Sequence, residues 1–308
     1  MPVTIPFVAS LGPPVEALFK RLTIVKQQEP KLTVGLDIGS TSVKLVALGP
    51  RRPDGRRPLL GQSLVPLEAG QDADASEAIK TAVANLKMPV ASVNLSVSGQ
   101  WVILRILEMP KMKPEEFKQA LPFEAQRHLP FNIQEVVLDG AVLGPSDGNK
   151  AWVLFVACKK DLLNRRLDWA KRAGLGVDLI DVDALALANG FLMSTPSEGL
   201  KGSRALIDIG GQLTNLIIFR GGVPYLVRDI PWGGDKLMRN VAEQLGSDPE
   251  AVAQALAHGQ PSPETLNALK LSSEVLAIEL QLSFDYFENR FNQPPEEILI
   301  TGGLSQSK

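Results

Sequence analysis

Cysteine is almost missing from this sequence. Cys158 is the only one in 308 residues, so no disulfide can close within the chain, and a zinc site has no support. Cys158 ends the apolar run Trp152–Cys158, where a buried, inert thiol is expected. Histidine is nearly as scarce. His128 and His258 lie far apart, without metal-ligand or triad spacing, and read as solvated helix positions. Neither sign of charge is in excess: 32 Lys and Arg stand against 34 Asp and Glu. A net charge of −2 gives no electrostatic footprint for a nucleic-acid partner. Long hydrophobic runs are absent too; none reaches the roughly 18–20 residues that cross a bilayer as a helix. Met1–Pro30 lacks a basic stretch followed by an apolar core, so it is not a signal peptide, and the expected compartment is the cytoplasm.

What is present is ordinary in bulk and organised in detail. An apolar fraction of 44% and a charged fraction of 21% suit a globular chain, and the length suits two domains. The organising stretch is Val34–Leu48. Leu36 and Ile38 flank Asp37, a polar turn follows, and Val43, Leu45 and Ala47 alternate with Lys44 and Val46. This is a hairpin with mostly buried faces. Gly39 at its tip lets backbone amides approach an anion. Ser40, Thr41, Ser42 and Lys44 add donors. Asp37, closing the first strand, is placed for a hydrated Mg²⁺ rather than for the phosphate itself.

One Asp-Ile-Gly is weak, but the pattern recurs. Leu206–Phe219 again reads as apolar strand, Asp208-Ile209-Gly210, a short turn with Gly211 and Gln212, then an apolar strand. A repeat at this spacing implies two similar α/β halves. Two facing acid-bearing loops would clamp a nucleotide triphosphate and its metal.

Taken in order, residues 1–30 form an extension with four prolines near its start and a short amphipathic helix expected at Val15–Lys26. Such a helix suits a membrane surface or a partner, although docking on its own domain or disorder is the favoured reading. The first domain is expected over residues 31–195. Arg51–Arg57 is a solvated basic turn, Leu59–Leu67 a strand, Ala75–Leu86 a helix and Ala91–Val97 a strand. Residues 98–173 then carry their own pattern. A strand begins at Val102. A helix from Pro114 turns Phe117, Leu121 and Ala125 inward, with Pro122 set to distort it. Glu135–Leu143 and Ala151–Cys158 are strands, and Lys160–Ala173 is a helix. This block reads as an αβ insertion between the two acid loops. Val177–Val182 is a strand, and the alanine-rich helix Asp183–Met193 suits a crossing element between the halves.

Thr195–Ser203 is the expected hinge, and residues 196–308 form the second domain. There Trp232-Gly233-Gly234-Asp235 opens a helix, suiting a ligand approached by backbone. Helices at Pro249–Ala257 and Pro263–Asn292 follow, the second with Leu266, Leu269, Val275, Leu276, Leu280 and Phe284 as candidate core. Glu297–Thr301 is expected as a buried strand running into Gly302-Gly303. Such a strand ordinarily feeds a helix, and the sequence stops at Lys308, so a piece of a longer protein is expected.

Two Asp-Ile-Gly hairpins, a crossing helix, a Gly-Gly helix start and a final strand with Gly-Gly together resemble the actin/Hsp70/sugar-kinase ATPase superfamily. The resemblance spans residues 33–303 and implies an α/β, actin-like (ribonuclease H-like) two-domain ATPase fold. The insertion narrows it. Leu107-Glu108-Met109-Pro110-Lys111-Met112, Glu116, Glu124-Ala125, Leu129-Pro130-Phe131, Glu135–Asp139, Ala173-Gly174-Leu175 and Asp181-Val182-Asp183 look like the PilM family of type IV pilus assembly. The cell-division protein FtsA carries an insertion at the same place and matches these residues less well.

The resemblance implies a cytoplasmic ATP-binding scaffold under the inner membrane, arranged as a ring or patch of subunits. It implies that the groove beside the insertion takes the tail of a bitopic, PilN-like partner, which brings the chain to the membrane peripherally. By motif position, Asp37 and Asp208 would serve Mg²⁺. Gly39, Ser40, Thr41, Lys44, Gly210, Gly211, Gln212 and Thr214 would hold phosphates of ATP. Gly234, Lys236, Gly302 and Gly303 would lie near ribose and adenine. Gln212 or Asn215 would orient a water for slow hydrolysis. A small-molecule kinase of the same fold is the alternative from another class, with Asp181 or Asp183 as base.

Overall fold

The structure, a computed structural model, describes residues 31–53, 56–67, 74–195, 201–257, 259 and 261–306. The expected N-terminal helix and His258 lie outside the described residues. The chain divides into two compact units, one through Pro196 and one from Ser197.

The first unit is built on a five-stranded sheet. β1 (Thr33–Ile38) and β2 (Ser42–Leu48) form the expected hairpin, and β3 (Leu59–Pro66) extends it antiparallel. α1 (Ser76–Asn85) buries Ile79 and Ala82 and leads to β4 (Ser92–Val97), which pairs parallel to β1. The chain then leaves the sheet and returns as β8 (Gly176–Val182), giving the order β3-β2-β1-β4-β8. Alternation decides the buried face: Val34, Leu36, Ile38, Val43, Leu45 and Ala47 are all buried. Because β1, β4 and β8 are parallel, their carboxyl ends at Ile38, Val97 and Val182 share one edge.

The excursion between β4 and β8 is the insertion. β5 (Val102–Pro110), α2 (Pro114–Gln126), β6 (Val136–Pro145) and β7 (Lys150–Lys159) make a separate antiparallel sheet of order β5-β7-β6. Phe117, Leu121 and Ala125 of α2 pack on Met109, Val153 and Phe155, as their spacing predicts. The helix continues through Pro122 to Gln126. His128, just past α2, faces Phe155 with ring centroids 5.9 Å apart. α3 (Lys160–Arg172) returns the chain to β8, and α4 (Asp183–Ser194) follows it.

The second unit repeats the first plan. β9 (Ser203–Ile209), β10 (Thr214–Arg220) and β11 (Val223–Ile230) form an antiparallel meander, and β12 (Glu297–Gly302) pairs parallel to β9. Between β11 and β12 come α5 (Gly234–Leu245), α6 (Pro249–Ala257) and α7 (Pro263–Phe291). Their core joins Ala205, Ile207, Leu216 and Ile218 of the sheet to Leu237, Val241, Val252, Ala268, Leu276 and Phe287.

Two expectations are corrected here. On α7 the buried face runs through Thr265, Ala268, Ser272, Leu276, Ser283 and Phe287. Leu266 and Val275 therefore lie outside the core, and Val275 belongs to an exposed stripe with Leu271, Ile278, Leu282 and Tyr286. Apolar spacing identified the helix but not which of its two apolar stripes packs. β12 is not a buried strand. Among the described residues it pairs with β9 alone, so it is an edge, and Ile298 and Ile300 are exposed.

Candidate functional site

Each unit presents candidate ligand-binding groups at the tip of its acid-bearing hairpin. In the first, the register pairs Asp37 with Lys44 and Ile38 with Val43. The four-residue turn closes by Gly39 N–H donating to the Ser42 carbonyl at 3.0 Å. Thr41 is exposed, Ser40 half-buried and Ser42 buried, so two of the three hydroxyls face outward. Lys44 Nζ donates to Asp37 Oδ2 at 2.7 Å. Their side chains remain 48% and 38% exposed, so water screens the pair and it contributes about 0–1 kcal/mol. A bond that weak contributes little to the stability of the hairpin.

The second hairpin has the same frame. Asp208 pairs with Asn215 and Ile209 with Thr214, and Gly210 N–H donates to the Leu213 carbonyl at 2.9 Å. Its side chains are used differently. Thr214 is fully buried and its hydroxyl donates to the Trp232 carbonyl at 2.8 Å. Asn215 Nδ2 donates to Asp229 Oδ1 of β11 at 2.8 Å. Both side chains therefore serve the unit's interior. Asp208, Gly210, Gly211 and Gln212 stay partly accessible.

The turn before α5 docks onto this loop. Gly234 N–H donates to the Gly210 carbonyl at 2.9 Å, and Asp235 N–H donates to the Gly211 carbonyl at 2.8 Å. A Cβ on Gly233 would stand 2.5 and 2.6 Å from the Gly211 and Gly210 carbonyl oxygens, so only glycine fits. Gly302, with φ of +97°, lies so close to Ile209 that any Cβ would run into the Ile209 backbone. The Leu304 side chain reaches Gly234. Gly210, Gly211, Gly233, Gly234 and Gly302, far apart in sequence, thus form one packed patch. Gly303 is open, and Lys236 is exposed in the first turn of α5. Gly233, Trp232 and Thr214 are structural members of this patch. Their roles were hidden in the sequence because close backbone approach has no side-chain signature.

The donor chemistry fits the group that the resemblance implies. Among the described residues no cluster of three or more His, Cys, Asp or Glu side chains stands ready for a metal. A cation here would rest on single carboxylates, Asp37 and Asp208, and keep its remaining ligands as water and phosphate, which is the manner of Mg²⁺. Outward hydroxyls, Lys44 and close-approach glycines suit phosphate oxygens.

A second feature lies wholly within the first unit. A small cavity opens at the seam between the insertion and the first sheet. It is lined by Val137 and Asp139 of β6, Val156 and Cys158 of β7, Leu163 of α3, and Ile180–Val182 of β8 with Val97. Burial pushes the Asp181 carboxyl up to about 6, against the opposing bond from Val182 N–H and with a further push from Asp183. Burial also pushes the Cys158 thiol up to about 12, so it is an inert core group.

Two units sharing one strand plan, each with an acid at its hairpin tip and the first with an αβ insertion, define the actin-like ATPase class of folds. A family model described as type IV pilus assembly protein PilM matches residues 35–307, and the chain belongs to that family. The structure is similar to a PilM-PilN type IV pilus biogenesis complex with a TM-score of 0.76 and 26% identity, covering 90% of this chain and 83% of that one. The ethanolamine utilization protein EutJ from Carboxydothermus hydrogenoformans shares the fold, with a TM-score of 0.52 and 14% identity over 95% of this chain and 83% of that chain. FtsA of Escherichia coli strain K12 is 24% identical over 266 residues, which are 77% of this chain and 62% of FtsA. The chain thus spans less than two thirds of that relative's length.

Proposed function

We propose that this chain is an ATP-binding assembly protein of type IV pilus biogenesis that captures the cytoplasmic tail of a PilN-like bitopic membrane protein. The observation that carries the nucleotide half is the repeated hairpin frame, with Asp37 and Asp208 at equivalent positions and the glycine patch beside the second. Asp37 and Asp208 hold hydrated Mg²⁺. Gly39, Ser40, Thr41, Lys44, Gly210, Gly211 and Gln212 receive phosphates, and Gly234, Lys236, Gly302 and Gly303 face the nucleoside. Bound Mg²⁺ would neutralise phosphate charge. The chain's own part is to orient phosphates by backbone and hydroxyl donors, and Gln212 positions a water for slow hydrolysis.

The tail is proposed to dock in the groove between the insertion and the first sheet, over the seam cavity. Membership in the PilM family and similarity to a PilM-PilN complex support this. Among the described residues no helix is long and apolar enough to cross a membrane. The chain is accordingly proposed to work at the cytoplasmic face of the inner membrane, held there by its partner. Titration of Mg-ATP, and separately of a synthetic PilN-like tail peptide, tests both halves. Binding of both supports the reading. Binding of ATP alone, with turnover stimulated by hydroxyl-bearing small molecules, would favour the kinase alternative.

A further inference from the structure

The first hairpin tip and the seam between insertion and sheet belong to the same unit. One side chain in the first unit lies between them. Arg166 sits midway along α3, the helix that carries the chain out of the insertion and back to the first sheet. Its guanidinium lies over the Trp169 ring, Cζ 4.9 Å from the centroid. Its Nε is buried, with no hydrogen-bond partner among the described residues. Two carboxylates from other elements lie within electrostatic reach: Asp183, the first residue of α4, and Asp37 at the end of β1. Burial and the neighbouring Arg165 cation work against its charge, and the two acids work in its favour.

A half-buried guanidinium whose Nε is sealed from solvent leans on its compensating charges. One of those charges is the carboxylate assigned here to Mg²⁺, so a divalent cation and a polyphosphate at the hairpin tip must alter the balance around Arg166. The other end of the link is equally local. Leu163 lies one turn earlier on the same face of α3, and it lines the seam cavity. Asp181 and Val182, which line the cavity opposite it, run directly into Asp183. The same helix face therefore meets the field of the phosphate-loop acid at Arg166 and lines the tail groove at Leu163.

We propose that Arg166 is a positioning residue that couples occupancy of the phosphate loop at Asp37 to the affinity of the tail groove. This rests on the assignment of nucleotide and tail given above. The coupling is carried by the electrostatic seat of one guanidinium, and the moving part is α3.

The test is calorimetric titration of the tail peptide into the whole chain, without nucleotide and with saturating Mg-ADP. In the wild type the two dissociation constants should differ by at least about fivefold, and the peptide should change Mg-ADP affinity by the same factor. In Arg166→Gln the ratio should fall to within about twofold of unity, while the nucleotide-free peptide affinity stays near wild type. Arg166→Lys, which keeps the charge, should retain part of the ratio. A merely structural role would weaken both peptide affinities together and leave their ratio intact. An unchanged ratio in Arg166→Gln, or a wild-type ratio of one, overturns the inference while leaving the proposed function standing. If wild type binds neither probe, the proposed function falls and this inference falls with it. Should Arg166→Gln fail to fold, Asp183→Asn removes the counter-charge on the other side of the guanidinium. An unshifted ratio there overturns the coupling equally.

Discussion

The two acid hairpins share a backbone and differ in what their side chains do. Asp37 faces Lys44 across one pair of strands, and Asp208 faces Asn215 across the other. Each turn closes with the same glycine N–H bond. In the first hairpin the polar groups point outward: Lys44 reaches Asp37, and Thr41 is exposed. In the second they point inward, with Thr214 bonded to Trp232 and Asn215 to Asp229. The second loop compensates with backbone, gathering five glycines into a patch that the first loop lacks. The difference teaches that a repeated motif can conserve an acid and a turn while exchanging side-chain donors for close-approach backbone.

The contrast breaks most visibly at the glycines. Gly302→Ala or Gly233→Ala should destabilise the second unit by more than about 3 kcal/mol, because backbone atoms must move. Gly303→Ala, with nothing near, should stay within about 0.5 kcal/mol. Urea denaturation followed by circular dichroism reads both. Gly39→Ala should fall between them, since its Cβ would meet the Ser42 carbonyl at 3.2 Å and the movable Lys44 Nζ at 3.5 Å.

A smaller effect is expected at the hydroxyls. Thr214→Val strands the buried Trp232 carbonyl and should cost about 1–3 kcal/mol. Thr41→Val should cost at most about 0.5 kcal/mol in stability and act on Mg-ATP affinity instead. Equal losses of stability from both variants would erase the inward-outward distinction.

Asp181 extends the comparison to the seam. Burial raises its folded pKa to about 6, well above the ordinary carboxylate range. The folded state therefore holds the proton more tightly than the unfolded chain. The stability this gives is complete below about pH 4 and is lost as pH rises through about 6. Asp181→Asn should match wild type near pH 4 and exceed it at pH 8 by up to about 3 kcal/mol. Thermal melts at the two pH values decide this, and a gain at pH 4 that vanishes at pH 8 would contradict it. The smallest effect is expected for Lys44→Met, about 0–1 kcal/mol in stability, because the Lys44–Asp37 pair is exposed.

Much of this was legible in the sequence, for physical reasons. Strand alternation and Asp-Ile-Gly turns located both hairpins, and the spacing of Phe117, Leu121 and Ala125 located the core face of α2. What escaped depends on long-range approach. Nothing in the residues around Gly233 says that the Gly210 and Gly211 carbonyls lie against it. Thr214 reads as a phosphate donor and Asn215 as a water-orienting group because sequence shows a polar side chain but not the direction of its bond. Arg166 gave no signal, since an arginine on an amphipathic helix ordinarily lies in solvent. On α7, two apolar stripes compete, and only the packed helix shows that Leu276 is inside and Val275 outside.

The central claim is that the acid of each hairpin serves Mg-nucleotide binding. Isothermal titration of ATP, with and without Mg²⁺, into wild type, Asp37→Ala and Asp208→Ala tests it most directly. The account predicts that wild type binds Mg-ATP and that each substitution abolishes the gain in affinity that Mg²⁺ confers. Either variant binding Mg-ATP as tightly as wild type would contradict it.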